Sequence, residues 1–192
     1  MKQPGTLELP VLGLLKERQM HGYELRKQLG AMLGPLWQVS WGSLYPTLRR
    51  LAKAEAVEKV AEARRPGGMS PGRRKTVYRI TEKGERLFGD MLAETGTVDA
   101  EHFTLKLAFF RYMDPESRLA LLERRRAFLQ EKLRQLKDNL RQYRERIDSY
   151  ALTLQNHDLS ATENDIQWID ELITKERGGQ KQGVARPTTQ TH

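Results

Sequence analysis

The densest chemistry in this chain is cationic. Between residues 40 and 80 stand Arg49, Arg50, Lys53, Lys59, Arg64, Arg65, Arg73, Arg74, Lys75 and Arg79, against only Glu55, Glu58 and Glu62. That excess accounts for nearly all of the formal net charge of +8 carried by the 192 residues. Guanidinium and ammonium groups gathered on one segment pair with phosphates and release counterions from a nucleic-acid backbone. A solvated surface face is the plainer reading of any one of these charges, and the choice depends on how the elements present them. Little else is available for chemistry. His21, His102, His157 and His192 stand far apart, with no second ligand at metal-motif spacing, so no metal and no cofactor is expected. The absence of cysteine removes disulfides, thiolate catalysis and thiolate zinc sites. No acid–base pair, phosphate loop or nucleophile motif is present, so no catalytic residue and no enzyme is expected.

The elements that must position these cations can be read from periodicity. In residues 39–51, VSWGSLYPTLRRL, the residues Leu44, Leu48 and Leu51 recur at helical spacing although Pro46 lies among them. If those leucines face a core, the opposite face at roughly 100° per residue holds Gly42, Pro46, Arg49 and Lys53, flanked by Ser43, Tyr45 and Arg50. A helix starting near Gly42 or Ser43 would keep Pro46 in the first turn, where its missing N–H has no intrahelical partner. Two shorter helices precede it. One covers 6–17, with Leu12 and Leu15 a turn apart; the other covers 23–33, with Leu25, Leu29 and Met32 on one face, after a turn at His21-Gly22 and before a stop at Gly34-Pro35. Then the period changes toward two. VEKVAEA (57–63) and KTVYRIT (75–81) read as strands around RRPGGMSPGRR, whose Gly, Pro and Arg mark an exposed tip. Thr81 is expected to N-cap a helix over 82–94 with Leu87, Met91 and Leu92 inward.

Three helices followed by a basic hairpin describe a winged helix-turn-helix, whose third helix enters the major groove while the hairpin lies along the adjacent backbone. On that reading Ser43 and Tyr45 offer hydroxyls, Arg49 and Lys53 pair with phosphate, and Arg64, Arg65, Arg73, Arg74 and Lys75 converge on the backbone from the wing. Trp41, at the helix entry, is either half-packed core or an apolar contact to a thymine methyl or sugar.

Beyond a linker at 95–99 the chain reads as helical. One helix covers 100–112. A long one starts at Asp114-Pro115 and carries a seam of Leu129, Leu133, Leu136, Leu140, Tyr143, Ile147, Tyr150 and Leu154 at alternating steps of four and three. A last helix opens with Ser160 and Glu163 as a capping box and turns Ile166, Ile169, Leu172 and Ile173 inward. A parallel zipper is disfavoured, since Lys132 would face Lys137 of a partner, with Arg144 and Arg146 nearby. The last helix carries Asp158, Glu163, Asp165, Asp170, Glu171 and Glu176, so it should lie antiparallel on the basic long helix of its own chain or of a partner. The dimerisation set is therefore Leu129, Leu133, Leu136, Leu140, Tyr143, Ile147, Ile166, Trp168, Ile169 and Leu172. Phe103, Phe109, Phe110, Tyr112 and Trp168 read either as dimer core or as the lining of an effector pocket between the halves. The expected organisation is a DNA-binding domain at 1–95, a helical dimerisation domain at 100–177 and a disordered, Gly-, Gln- and Thr-rich tail at 178–192. Leu9 to Leu15, the longest apolar run, is too short for a bilayer, and residues 1–20 lack a signal-peptide pattern, which points to a cytoplasmic protein with no membrane partner.

LGLLKERQMHGYELRKQL, WQVSWGSLYPTLRRLAKAEAVEK and RKTVYRITEKGERLF together resemble the PadR family of bacterial transcriptional regulators, over residues 7 to about 92. The resemblance implies a mainly α fold with a small β-hairpin, a winged helix-turn-helix followed by a helical dimerisation arm with one long helix. It also implies a homodimeric repressor that binds a two-fold-related operator in double-stranded DNA and is released by a small-molecule effector. By that similarity Tyr23, Ser40, Gly42, Ser43, Tyr45, Pro46 and Arg49 form the helix-turn-helix contact set, with Lys75 and the wing arginines on the backbone. FTLKLAFFRYMDPESRLALLERR is similar, more loosely, to the longer subgroup of the family, whose extra helices build the dimer. Two departures stand out: Trp41 sits where a smaller residue or proline is expected, and RRPGGMSPGRR makes a long wing. The alternative is a helical adaptor that uses the winged domain for protein–protein interaction.

Overall fold

The computed structural model describes residues 7–34, 39–60, 76–94, 100–143 and 148–184, with side chains described as far as Gly178. The chain divides into two compact units, Met1–Phe109 and Phe110–His192.

The first unit is organised around α1 (Glu8–Glu17), in which every residue from Leu9 to Leu15 is buried. A helix apolar on all sides belongs inside a core. The chain then forms β1 (Met20–His21), α2 (Gly22–Leu33), α3 (Trp41–Lys53), β2 (Val57–Val60), β3 (Val77–Ile80), α4 (Glu82–Ala93) and α5 (Ala100–Ala108). Leu25 and Leu29 of α2 and Leu44, Leu48 and Leu51 of α3 close over α1 with 2% exposure or less. The strands make an antiparallel sheet in the order β1-β3-β2, with Val57 opposite Ile80 and Val60 opposite Val77. This is the winged helix-turn-helix expected, with one strand more. His21 is not in a turn: with Met20 it pairs with Val77 and Tyr78. Two residues are too few to show a period, and their partner strand lies far along the chain. Of the expected strands at 57–63 and 75–81, the described residues place Val57–Val60 and Val77–Ile80 in the hairpin, while 61–63 and 75 lie outside the described residues. The wing tip with Arg64, Arg65, Arg73, Arg74 and Lys75 lies outside the described residues, as does the linker 95–99.

Thr81 caps α4, its Oγ1 accepting the Gly84 N–H at 3.1 Å. The buried face of α4 is Gly84, Phe88 and Leu92, whereas Leu87 and Met91 are only half-buried. The rotation follows from Gly84, which sits so close to the Ala56 carbonyl oxygen that any Cβ would overlap it. Phe109 completes this core. Its ring meets Phe88 edge-on at 5.6 Å and 90° and lies directly over Gly13, and Phe103 is buried with it. Thus α5 ends at Ala108, groups with the winged unit, and gives way to a single 3₁₀ turn at Phe110–Tyr112 rather than running to 112.

The second unit is an antiparallel pair, α6 (Pro115–Tyr143) and α7 (Ser149–Val184). Asp114 caps α6 as expected, its Oδ1 accepting the Ser117 N–H at 2.8 Å; hydrogen bonds from the Ser117 side chain, and then from its backbone, hold the carboxyl below the usual aspartate range. The heptad seam does not continue to Leu154 on one helix. Asp148 starts α7 by accepting the N–H groups of Tyr150 at 2.8 Å and Ala151 at 3.0 Å, so Tyr150 and Leu154 belong to the returning helix, while Ile147 lies outside the described residues. The cap is a local hydrogen-bond device that hydrophobic spacing cannot reveal. Ser160 consequently opens no helix; it is internal to α7, which runs on through 178–184, residues expected to be tail.

Leu121, Leu122 and Leu129 are the buried apolar residues of α6, and Ile169 and Ile173 those of α7. Ion pairs flank the antiparallel helices: Arg118 with Glu176 at 3.0 Å, Arg126 with Asp170 at 3.2 Å, Lys137 with Glu163 at 2.9 Å and Arg177 with Glu123 at 2.7 Å. The acidic last helix thus lies antiparallel on the basic long helix of its own chain. No helix among the described residues is long and apolar enough to cross a membrane.

Candidate nucleic-acid interface

Ser40 begins the site. Its Oγ accepts the Ser43 N–H at 3.2 Å, while the Ser43 hydroxyl returns a bond to the Ser40 carbonyl at 2.9 Å. Both hydroxyls therefore act first as helix caps. The cap also starts α3 at Trp41, one or two residues earlier than expected, so Pro46 falls in the second turn rather than the first. The ring removes the N–H that would have reached the Gly42 carbonyl, a loss accommodated at an exposed glycine.

With Leu44, Leu48 and Leu51 buried, the outward face of α3 presents Gly42, Arg49 and Lys53 fully and Pro46 partly. The cations of this segment divide by use. Arg50 donates through Nε to Glu8 at 3.0 Å and through Nη2 to the Thr47 hydroxyl at 3.1 Å, which fixes α3 to the start of α1. Arg79 pairs with its cross-strand neighbour Glu58 at 2.8 Å. Arg49 and Lys53 have no ion-pair partner among the described residues.

Beside these two cations lies an aromatic surface. Tyr23 is 70% exposed, Trp41 36% and Tyr45 45%. Their rings form a ladder, Tyr23 to Trp41 at 6.3 Å and 29°, and Trp41 to Tyr45 at 5.3 Å and 21°. The Arg26 guanidinium carbon sits 5.0 Å from the centre of the Trp41 ring, and its Nε donates to the Val39 carbonyl at 2.9 Å. Arg26 thereby ties the entry of α3 to α2 and supports the indole by a cation–π contact. Trp41 is accordingly not core. Arg26 was not among the expected site residues, although it lies one helical turn after Tyr23 on α2, and that spacing was the available signal. Burial, and secondarily the nearby Tyr45 phenol, raise the Tyr78 phenol above the usual tyrosine range.

Tyr23, Ser40, Trp41, Gly42, Ser43, Tyr45, Pro46, Arg49 and Lys53 thus converge on the entry and outer face of α3. The expected dimerisation residues do not behave as one set. Leu129 and Ile169 are buried in the second unit; Leu133, Leu136, Leu140, Ile166 and Leu172 are half-buried; Tyr143 and Trp168 are exposed. Among the expected effector-pocket residues, Phe103 and Phe109 are buried in the first unit, Phe110 is half-buried and Trp168 exposed.

The model of the transcriptional regulator PadR-like family matches residues 11–90, and that of the virulence activator alpha C-terminal region matches residues 101–175. The winged half of the chain, residues 11–90, belongs to the PadR-like family. An uncharacterized protein of Lysinibacillus sphaericus is 28% identical over 94 residues, which are 49% of this chain and 82% of that one. Among solved structures, Bacillus subtilis PadR in complex with operator DNA is 20% identical, covering 88% of this chain and 98% of that one with a TM-score of 0.40. The Vibrio cholerae virulence activator AphA is 21% identical over 90% of this chain and 98% of its own, with a TM-score of 0.38. The PadR-like match contains the whole of α2, α3 and the aromatic ladder; the second match begins within α5 and ends within α7.

Proposed function

We propose that this PadR-like regulator binds double-stranded DNA by inserting the entry of α3 into the major groove, as a homodimer on a two-fold-related site. The observation that carries this reading is the outward face of α3, where Arg49 and Lys53 lie exposed and without an ion-pair partner among the described residues. Cations already paired, like Arg50 with Glu8 and Arg79 with Glu58, must give up a carboxylate to meet a ligand; cations held on a rigid helix face without a partner are available to phosphates. Arg64, Arg65, Arg73, Arg74 and Lys75 add further positive charge in the sequence between β2 and β3. Homodimerisation is supported by large apolar side chains left exposed on α6 and α7, among them Phe128 and Trp168. Repression and release by a small effector rest on the family resemblance alone.

Titration of the full chain with duplex DNA at several salt concentrations tests the reading. Arg49→Ala should weaken binding across all sequences and lower the slope of log affinity against log salt by roughly one phosphate contact. An affinity and slope unchanged by Arg49→Ala and by Lys53→Ala would remove α3 from the interface and favour the adaptor role.

A further inference from the structure

We infer that Trp41 is a specificity-determining residue that reads the 5-methyl group of a thymine in the major groove; this rests on the proposed docking of α3. Tyr23, Trp41 and Tyr45 form one exposed aromatic patch beside Arg49 and Lys53, and a contiguous apolar patch, unlike a single surface side chain, marks a contact surface. In the major groove the thymine methyl is the one apolar feature of the base edges, so it is the partner the chemistry selects.

The ladder also limits how that contact is made. Tyr23, Tyr45 and the Arg26 guanidinium all stack on the indole, so its faces are largely occupied and its edge is what remains to offer outward. A ring edge can still make van der Waals contact with a methyl group, whereas stacking on an unpaired base would need a free face. The position is fixed before binding. Arg26 holds the Val39 carbonyl, Ser40 caps the helix, and Trp41 is its first residue, so little side-chain order remains to be lost on docking. Ser40 and Ser43, the polar groups beside it, already satisfy one another, which leaves Trp41 as the distinctive reader at this end of the helix.

The test uses the full chain and a duplex selected by it from random sequence. Each thymine of the selected half-site is replaced in turn by deoxyuridine, which removes only the methyl. One thymine per half-site should then lose about fourfold in affinity, the worth of burying one methyl group. With Trp41→Ser the same replacement should have no effect, while the salt slope stays that of the unaltered protein. Because the deoxyuridine series is measured on the unaltered chain, a variant that folds poorly cannot blur the result; Trp41→Phe supplies a second variant, expected to keep part of the effect. The inference is overturned if no deoxyuridine replacement changes affinity, if the loss persists in Trp41→Ser, or if Trp41→Ser weakens every sequence equally. Salt-independent binding, or none, would instead overturn the docking of α3 itself.

Discussion

The Thr81 hydroxyl donates to the Glu55 carbonyl oxygen across 2.6 Å and also accepts the N–H of Gly84. One side chain thus joins the turn that leaves α3 to the cap that starts α4. Glu55 itself has a φ of 60°, a left-handed conformation that a non-glycine residue holds only when its surroundings enforce it. The Thr81 N–H bonds the Ala56 carbonyl at 3.1 Å and completes the clamp. Thr81→Ala should therefore cost about 1–2 kcal/mol, measured by denaturant unfolding, because a cap and a tertiary bond go together. A loss no larger than that of a typical surface substitution would show that the clamp is redundant.

Gly13 and Phe109 make a second, steric relationship. A Cβ at Gly13 would overlap the Phe109 ring, so Gly13→Ala should destabilise the first unit by about 1–3 kcal/mol. Phe109→Leu in the same background should recover part of that loss. Additive losses in a double-mutant cycle would mean that the two positions do not share one space.

In the second unit the apolar residues should outweigh the ion pairs. Lys137 and Glu163 are each nearly half-exposed, so Lys137→Ala should change stability by less than about 1 kcal/mol. Leu129→Ala and Ile169→Ala, at 1% and 0% exposure, should each cost about 2–5 kcal/mol. Thermal unfolding of the variants ranks the two contributions directly.

Assembly should depend on the apolar groups that remain outside. The Arg126–Asp170 pair sets Phe128 and Trp168 at the same level of the antiparallel pair, and both are exposed, by 46% and 44%. Phe128→Glu combined with Trp168→Glu should give a monomer in sedimentation while retaining the helical content. A dimer that survives both changes would place the interface elsewhere.

Glu131 provides a pH marker on α6. Its carboxylate accepts two bonds from Arg134, at 2.6 and 2.9 Å, and one from Gln135 at 2.7 Å, which push it down to about 2. A carboxylate depressed in the folded state contributes stability that is fully present above the unfolded glutamate range, about 4.3, and is lost as pH falls toward the folded value. The Glu131 side-chain carbonyl resonance should therefore titrate well below that of a free glutamate, and Glu131→Gln should remove this part of the acid dependence. Titration at the ordinary glutamate value would mean that the Arg134 fork does not hold in solution.

Much of the winged half was legible in residue order. The spacing of Leu44, Leu48 and Leu51 marked the inward face of α3, and by geometry alone Arg49 and Lys53 had to lie opposite. Thr81 and Asp114 announced their helices because a cap is written within a few residues of the turn it closes. Asp148 and Ser160 show the limit of such local signals. Both residues are suited to capping, but Asp148 lies within a run whose apolar spacing continues to Leu154, and it interrupts the helix there, whereas Ser160 lies inside one.

What the residue order determined was periodicity, charge placement and capping chemistry, and with them the winged helix-turn-helix, the basic third helix and the antiparallel acidic return. Only the tertiary structure decided which cations remain for a ligand, that Met20 and His21 form a strand, that Phe109 is consumed over Gly13, and that Trp41 stacks with Tyr23, Tyr45 and the Arg26 guanidinium. The reason is range. Periods and caps are set by neighbours along the chain, whereas an ion pair, a strand partner or an aromatic contact depends on groups distant in sequence that meet only once the core has closed.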